Sequence, residues 1–322
     1  MTSLPRRALL AAPLLLPALA KAQGWPERPI RWIVNFPPGG AADTLSRALG
    51  ESIGGRLGQP IVIENRPGAG GLVGADLVAK ARGDAHVVIM SNAASHGIGP
   101  VLYPSVPYDP LADFTHIALV GTFASVLVVN PGVPARTLPD FVALARGRPG
   151  GFAYGTGGNG TMNHLVGQLL ARAAGIELTH VPYRGSAPAL ADCIGGQIPA
   201  VMESLPIALP HLKAGRLRAL GTSEAGRDAA LPETPSFAEA GYPTARSTNW
   251  FGFSAAAGIP DGIAARWGGV IAAALADPRL QERFAAIGVV PGRMGAAEYT
   301  ALIAAELDRW RGVIRDAGVK PD

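Results

Sequence analysis

Segments with strand character alternate with helical segments along the chain, and this alternation restricts the fold more than any single motif. The first four strand-like segments are residues 30–35, 61–65, 86–91 and 117–121. Each is bounded by Gly, Pro, Asn or Asp, as strands usually are. Between the first two, an apolar residue recurs every four positions, which predicts a helix with Asp43 or Thr44 as its N-cap. A second helix is predicted over 70–81, and this order favours parallel sheets covered on both faces.

The alternation restarts in the second part of the chain. Further strands are predicted at 126–130, 151–156, 178–181, 198–202 and 217–222. The C-terminal part differs, because one strand at 250–258 is followed by helices over 260–286 and 296–317. These patterns predict an α/β fold with two lobes.

The predicted lobes are discontinuous in sequence. Lobe 1 comprises residues 23–123 plus 248–322, and lobe 2 comprises residues 124–247. The chain is expected to cross between the lobes near 122–126 and to return near 246–250, so that the crossing strands act as a hinge. Ligands of such folds bind beyond the carboxyl ends of the strands, in the cleft.

The first 22 residues have the composition of an export signal. Arg6 and Arg7 precede an apolar run that ends at Ala20, and a further small residue follows at Ala22. The run is too short to span a bilayer, which takes about 20 apolar residues. We therefore predict a signal peptide cleaved after Ala22 and a periplasmic location. The paired arginines also suit the twin-arginine route, so the export route stays open.

Composition excludes several classes of function. Removing residues 1–22 deletes three cations and no anions, so the formal net charge falls from +4 to +1. No basic run remains for nucleic acid, and the aromatic content of 6% is low for base stacking. Cys193 is the only cysteine, so no disulfide can form within the chain. The six histidines lack metal-binding spacing, and we expect neither a metal nor a cofactor.

The stretch NFPPGGAAD, residues 35–43, joins the first strand to the first helix and is a candidate binding loop. Gly39 and Gly40 let backbone N–H groups turn outward without Cβ clashes. The helix N-terminus adds partial positive charge, so backbone groups alone can cradle an anion. The lysine of a P-loop and the Rossmann glycine pattern are both absent, which favours a carboxylate. A glycine turn that only permits tight packing is the alternative interpretation.

A second loop, YGTGGNGTMNHL (residues 154–165), also leads from a strand into a helix. Its side chains with hydrogen-bonding groups are those of Thr156, Asn159, Thr161 and Asn163. One such loop in each lobe could face the other across the cleft. A third polar turn, SNAASHG (residues 91–97), follows the third strand of the first lobe.

Catalysis has little support in the sequence. A G-x-S-x-G nucleophile elbow is absent, and the adjacent pair Ser95 and His96 has poor geometry for a catalytic triad. We predict that the protein is not an enzyme. A hydrolase that uses these two residues is kept as a minor alternative.

Several longer stretches, taken in order, resemble the substrate-binding proteins of tripartite tricarboxylate transporters, also called the Bug family. They include ENRPGAGG (64–71), HVPYRGSAPAL (180–190) and WFGFSAAAGIP (250–260). The first two stretches are highly specific for this family. The resemblance covers essentially the whole mature chain.

The resemblance implies a type II-like periplasmic-binding-protein fold with a small organic acid in the cleft between the lobes. The loaded protein is expected to pass its ligand to membrane permease subunits. The candidate ligand-binding residues are Pro38, Gly39, Gly40, Ala41, Asp43, Ser91, Asn92, Ser95, Thr156, Gly157, Asn159, Gly160, Thr161, Asn163, His164 and Glu203. We expect a monomer that binds no nucleic acid. A solute-sensing partner of a membrane sensor kinase, without a transport role, is the main alternative.

Some positions depart from the family pattern. Ala42 replaces a residue that is usually polar, and residues 83–89 read GDAHVVI where the family usually has PDGYTLL. Glu203 stands where the family commonly has an aspartate. This acid could accept a hydrogen bond from a ligand ammonium or hydroxyl group, or it could cap a helix. Arg184 is expected to be a charge at the rim of the site rather than a ligand clamp.

Overall fold

The structure is a computed structural model that describes residues 24–148 and 150–317. Its strands are β1 (Ile30–Val34), β2 (Ile61–Asn65), β3 (Val87–Asn92), β4 (Phe114–Val129), β5 (Phe152–Thr156), β6 (Leu178–Pro182), β7 (Ala200–Ser204), β8 (Arg218–Thr222), β9 (Thr248–Ala256) and β10 (Val290–Pro291). Its helices are α1 (Ala41–Leu57), α2 (Leu72–Ala79), α3 (Gly99–Leu102), α4 (Leu138–Arg146), α5 (Met162–Ala174), α6 (Ser186–Ile194), α7 (Leu205–Lys213), α8 (Asp261–Leu275), α9 (Pro278–Ala286) and α10 (Ala296–Ala317). The predicted signal peptide lies outside the described residues.

The strands form one curled, mixed sheet whose order is β2-β1-β3-β9-β4-β7-β5-β6. In the first half, β1 pairs in parallel with β2 and β3, and β9 runs antiparallel between β3 and β4. In the second half, β5 pairs in parallel with β6 and β7, while β4 is antiparallel to β7 and β8. The short strand β10 pairs with β4.

Helices cover both faces of each half of the sheet. In the first half α1 and α8 pack on one face around Trp32, Phe253 and Trp267, and α2 packs on the other. In the second half α4 and α5 pack on one face, and α6 and α7 on the other. The predicted α/β class, with a two-lobed solute-binding architecture, is confirmed.

Strand β4 runs through both halves of the sheet without interruption. Its residues up to Ala124 pair with β9, and from Ser125 onward they pair with β7. The sequence predicts two strands here, at 117–121 and 126–130, because Gly121 and Thr122 interrupt the apolar run. The lobe boundaries given above remain a prediction, although the change of partner on β4 lies beside them.

Two local expectations are corrected by the structure. Helix α1 begins at Ala41 with Gly40 as its N-cap, so neither Asp43 nor Thr44 has that position. The helix predicted over 260–286 is two helices, because Pro278 begins α9 and the Asp277 side chain caps it.

Two helices, α3 and α7, were not predicted. Helix α7 directly follows β7, and its sequence LPIALPHLK has a proline in its first turn and another inside it. Prolines mark turns in sequence-based reasoning, and so they conceal this short helix.

Tyr299 of α10 lies directly over Gly252 of β9. A Cβ atom at Gly252 would meet the Tyr299 ring at 2.0 Å, and the Tyr299 hydroxyl is hydrogen-bonded to Ser91 at 2.8 Å. We expect Gly252→Ala to lower the free energy of unfolding by about 1–3 kcal/mol, since an overpacked core is strained. The measurement is urea denaturation followed by circular dichroism.

The matched control is Gly269→Ala on α8, where a Cβ atom meets nothing within 4 Å. In a helix this change stabilises by about 0.5–1 kcal/mol. Equal effects of the two substitutions would contradict the packing of Tyr299 on β9.

Candidate functional site

A small cavity lies between the two halves of the sheet, beyond the carboxyl ends of the parallel strands. About 70 Å³ of it is open to the centres of water-sized molecules. Its lining residues are Phe36, Pro37, Gly40, Ala41, Ala42, Asn92, Ala93, Ala94, Gly157, Thr161, Met162, Asn163, Gly185, Ser186, Glu203, Ser204, Asn249, Trp250 and Phe251. We call this the inner cavity.

Four helix N-termini meet at the inner cavity. The N-cap residues of α1, α5, α6 and α7 are Gly40, Thr161, Gly185 and Ser204, and all four line it. Three of them, on α1, α6 and α7, make no side-chain capping hydrogen bond. Uncapped N-termini present unpaired N–H groups and the positive ends of helix dipoles, which together attract an anion.

The residues of the first predicted loop have two roles: some line the inner cavity, and others hold the loop in position. Gly40 and Ala41 line the inner cavity, whereas Pro38 and Gly39 are exposed to solvent outside it. The Gly39 N–H donates to Asp43 Oδ2 at 3.0 Å, and its role in ligand binding stays a prediction.

Asp43 is an anchor for the loop rather than a lining residue. Its carboxylate also accepts hydrogen bonds from Arg47 at 2.9 Å and from Asn65 at 3.0 Å. Burial raises the pKa of Asp43, but the hydrogen bonds from Arg47, Gly39 and Asn65 outweigh it, and the pKa is lowered overall. An ionised Asp43 therefore holds the loop in place.

The second predicted loop uses most of its polar side chains internally. Thr156 hydrogen-bonds His180 Nε2 at 2.7 Å and the Gly158 carbonyl at 3.1 Å. Thr161 donates to the same carbonyl at 2.7 Å and accepts from the His164 amide. These hydroxyls are therefore engaged within the loop in this structure, and Thr161 also lines the cavity. Their role in ligand binding stays a prediction.

Two further residues of this loop also lie outside the lining. The Gly160 amide donates to His164 Nδ1 at 3.4 Å, and the His164 ring stacks on His180 with centroids 4.1 Å apart. Both residues are buried. They support the loop, while Gly157 is the loop glycine that reaches the inner cavity.

The third predicted turn contributes only Asn92, Ala93 and Ala94 to the inner cavity. Ser91 is buried behind it, hydrogen-bonded to Ser254 and Tyr299. Its role in ligand binding stays a prediction.

Ser95 is likewise buried outside the lining, and its role in ligand binding also stays a prediction. Its Oγ lies 2.9 Å from His96 Nδ1, which is the contact that a hydrolase would use. Both residues are 0% exposed, and neither lines a cavity of the cleft. Burial and the nearby His116 lower the pKa of His96, so its ring is neutral.

A second cavity, of about 500 Å³, adjoins the first on its outer side. Asn159 and Arg184 line it, together with Pro67 to Gly71 of the ENRPGAGG stretch. Arg184 is thus at the rim. The lobes touch here, because a Cβ atom at Gly185 would lie 3.0 Å from Pro37 Cγ. The described conformation is closed.

Glu203 is the most unusual residue of the inner cavity. It is 0% exposed, and its Oε1 accepts hydrogen bonds from the Ser204 amide at 2.7 Å and from Asn163 Nδ2 at 3.0 Å. Its Oε2 has no hydrogen-bond partner among the described residues. Burial raises the pKa of Glu203 to about 7, although hydrogen bonding to Ser204, Ser186 and Asn163 acts in the opposite direction.

A chain of side chains links Glu203 to the crossing strands. Asn249 of β9 donates to Ser125 Oγ at 2.7 Å, and Ser125 donates to Asn163 Oδ1 at 2.7 Å. Asn163 in turn donates to Glu203 and to Ser204 Oγ. Both N–H groups of the Asn163 side chain are therefore used within the protein. Asn163 also lines the inner cavity, and its role in ligand binding stays a prediction.

Several lining residues were not predicted. They are Phe36, Pro37, Ala42, Ala93, Ala94, Met162, Gly185, Ser186, Ser204, Asn249, Trp250 and Phe251. Asn249 to Phe251 lie where the chain is predicted to return between the lobes, and a cleft site must border such strands. Ser186 begins a helix directly after the family-specific YRG sequence, which was the available signal for that side of the cavity.

Residues 24–148 and 150–317 contain neither a candidate metal site nor a helix that could span a membrane. No three His, Cys, Asp or Glu side chains in these ranges are grouped to hold a metal ion. None of the helices there has the length and apolar character needed to cross a bilayer.

Two α/β lobes that close over a cavity lined by helix N-termini define a solute-binding protein of the periplasmic-binding-protein class. The sequence matches the tripartite tricarboxylate transporter family receptor, TctC, over residues 45–319. The chain belongs to this family. It is 36% identical to the protein BugT of Bordetella pertussis over 304 residues, which cover 94% of this chain and 93% of BugT.

Solved structures agree with this assignment. Rpa4515 of R. palustris, solved with adipate, has 32% identity and a TM-score of 0.89, covering 92% of this chain and 100% of its own. The periplasmic binding protein BugD has 28% identity and a TM-score of 0.86, with coverages of 92% and 99%. MatC from Rhodopseudomonas palustris, solved with bound malate, has 29% identity and a TM-score of 0.84, with coverages of 90% and 100%.

The raised pKa of Glu203 predicts a pH-dependent stability. The folded-state pKa of about 7 lies above the ordinary value of 4.5, so the folded protein binds the extra proton. Its stabilising contribution is complete below pH 4.5 and is lost as the pH rises through 7. We expect Glu203→Gln to be more stable than the parent at pH 8. The difference in the free energy of unfolding, variant minus parent, should be larger at pH 8 than at pH 4 by up to about 3 kcal/mol. Urea denaturation at both pH values measures this.

The control is Glu282→Gln, a substitution at an exposed position of α9. It should leave the difference between the two pH values unchanged. If Glu203→Gln behaves like this control, Glu203 titrates at an ordinary pKa and the description of its environment is wrong.

Proposed function

We propose that this protein captures a small carboxylate in the inner cavity and delivers it to the membrane permease of a tripartite tricarboxylate transporter. The observation that carries this proposal is the set of four helix N-termini at a cavity whose described lining contains no Lys, Arg or His. Such a lining favours an anion that is bound through backbone N–H groups. Relatives solved with adipate and malate support a carboxylate rather than another anion.

The donors that we assign to the carboxylate are backbone amides. Gly40, Ala41 and Ala42 lie at the start of α1, and their N–H groups make no hydrogen bond to the described residues. Gly157 approaches from the other lobe. Each charge-assisted hydrogen bond contributes about 1.5–3 kcal/mol before ordering costs, so a few of them give the roughly −8 kcal/mol of micromolar binding.

Polar side chains on the rest of the lining define the remainder of the ligand site in this proposal. Asn92, Ser186, Glu203 and Asn249 face the same cavity from different elements. The small volume favours a compact acid. Trp250 also lines the cavity, and its indole N–H donates to Glu306 of α10, so its fluorescence is a direct reporter of binding.

The location of the protein follows from the family and from the first 22 residues. Family members and their solved relatives are periplasmic binding proteins, which implies a periplasmic location. We propose that the segment before Gln23 is an export signal and that the mature chain acts as a monomer. In this proposal the closed form, in which Pro37 meets Gly185, is the form that the permease receives.

The test of the cradle is the pair Gly40→Asp and Gly40→Asn. Gly40 has φ −79°, and a Cβ atom there has only the Pro37 carbonyl at 3.6 Å, so both side chains fit. Both residues are good N-caps, which preserves α1. We expect Asp to weaken carboxylate binding at least about 30-fold, because like charges about 4 Å apart repel by about 4 kcal/mol at an effective dielectric of 20. Asn should weaken it much less.

Binding is measured by titrating malate, succinate, adipate, benzoate and glutamate while following the intrinsic fluorescence of the five tryptophans, of which Trp250 lines the cavity, with calorimetry on any acid that binds. Equal affinities of the Asp and Asn variants would contradict binding of the carboxylate by the backbone N–H groups at the start of α1. Failure of every acid to bind would remove the carboxylate function.

Delivery is tested separately from binding. The loaded protein should be retained by its permease subunits in detergent or nanodiscs, and the unloaded protein less so. Retention by a sensor-kinase ectodomain in place of the permease would support the sensing alternative and contradict the transport role.

A further inference from the structure

Glu203 creates a charge conflict in the proposed carboxylate site. It is the only ionisable side chain in the described lining of the inner cavity, and it is completely buried there. An ionised Glu203 would place a negative charge beside a bound carboxylate, with no cation in the lining to offset either charge. Either Glu203 is neutral in the complex, or the ligand carries a positive group.

The hydrogen bonds of Glu203 are those of a carboxylic acid. Two donors, the Ser204 amide and Asn163 Nδ2, converge on Oε1. The Ser186 hydroxyl is near enough to the carboxyl group to lower its pKa, but no hydrogen bond of normal geometry reaches Oε2 from the described residues. A carboxylate has two equivalent acceptor oxygens, but a carboxylic acid has one acceptor oxygen and one hydroxyl group. The asymmetry assigns the proton to Oε2, and Glu203 lines the inner cavity.

We propose that Glu203 is protonated in the complex and donates a hydrogen bond from Oε2 to the ligand, which makes it a specificity-determining residue for acids without an ammonium group. This inference rests on the proposed function. Binding then takes up one proton from solvent whenever Glu203 is ionised in the free protein. No covalent bond is made or broken apart from the O–H bond at Oε2.

Among the described residues, Glu203 is the titratable group that lines the inner cavity. Residues from β4, α5, α6 and α7 that approach it are uncharged: Ser125, Asn163, Ser186 and Ser204. The other titratable residues on elements packed against β7 are His116, Tyr154, His164, Arg172, Asp192, Cys193, His211 and Lys213. None of these lines the inner cavity, and burial alone raises the pKa of Glu203, against the opposing effect of its hydrogen bonds.

The linkage has a definite sign. Because the complex holds the proton, affinity is constant well below the pKa of the free protein and falls as the pH rises above it. With that pKa at about 7, the dissociation constant of a simple carboxylate should increase about 50-fold between pH 7 and pH 9. Proton uptake should approach one per ligand over the same range.

The experiment is calorimetry of the mature protein with whichever of malate, succinate, adipate or benzoate binds most tightly. Titrations at pH 8 in phosphate and in Tris, which differ in ionisation enthalpy, give the number of protons taken up. Uptake near one, with affinity falling toward pH 9, is the expected result. Binding without proton uptake, or with affinity that rises with pH, overturns the inference but leaves the carboxylate function standing.

Two variants identify the group. Glu203→Gln places an N–H₂ donor where the Oε2–H would be, so it should abolish proton uptake and bind the acid more tightly than the parent at pH 9. Glu224→Gln removes another partly buried carboxyl, one that accepts from Thr248 outside the cavity, and should leave proton uptake unchanged. If Glu224→Gln removes the uptake instead, the proton belongs to a different site.

Titration with free glutamate tests the remaining alternative, in which Glu203 is ionised and pairs with an ammonium group of the ligand. Tight binding of this amino acid, together with its loss in Glu203→Gln and no proton uptake, would show an ionised Glu203 paired with an ammonium group and would overturn the inference. If none of these acids binds the parent at any pH, the proposed function fails first and this inference fails with it.

Discussion

Unpaired backbone N–H groups at the starts of four helices are the constraint on which the rest of the cleft depends. A buried N–H group without a partner is costly, and the dipoles of α1, α5, α6 and α7 add positive potential at the same place. The side chains around the loops hold these groups in position. Asp43 fixes the first loop and Thr161 the second, so that the anion meets donors that are already oriented.

The same cavity is coupled to the strands that cross between the lobes. Ser125 lies where β4 changes its pairing partner from β9 to β7, and its hydroxyl joins Asn249 to Asn163 and thereby to Glu203. Trp250, the next residue on β9, is held by Glu306 of α10. A change in the angle between the lobes must therefore rearrange this hydrogen-bonded chain, which connects closure to the contents of the cavity.

The sequence predicts the class of fold and the two loops, because alternating strands and helices and glycine-rich turns are local patterns. It does not predict how each loop uses its hydrogen bonds. Thr156 and Thr161 have suitable side chains for a ligand, but pairing with His180 and Gly158 is decided by tertiary structure. Likewise, a buried helix such as α7 carries prolines that local rules assign to turns. Ser186 and Asn249 reach the cavity from distant segments, and no spacing in the sequence predicts that they lie close together.

Glu203 shows why the charge of a site cannot be read from its residue types alone. If Glu203 were ionised like an ordinary glutamate, its negative charge would repel the anion that the helix N-termini attract. Burial reverses this conclusion, since desolvation favours the neutral acid, and the placement of both donors on Oε1 leaves the other oxygen to carry the proton. In that state all contributions from the lining are donors or neutral dipoles. The cavity can then hold a carboxylate without any fixed cation, and it excludes a second uncompensated charge in the same space.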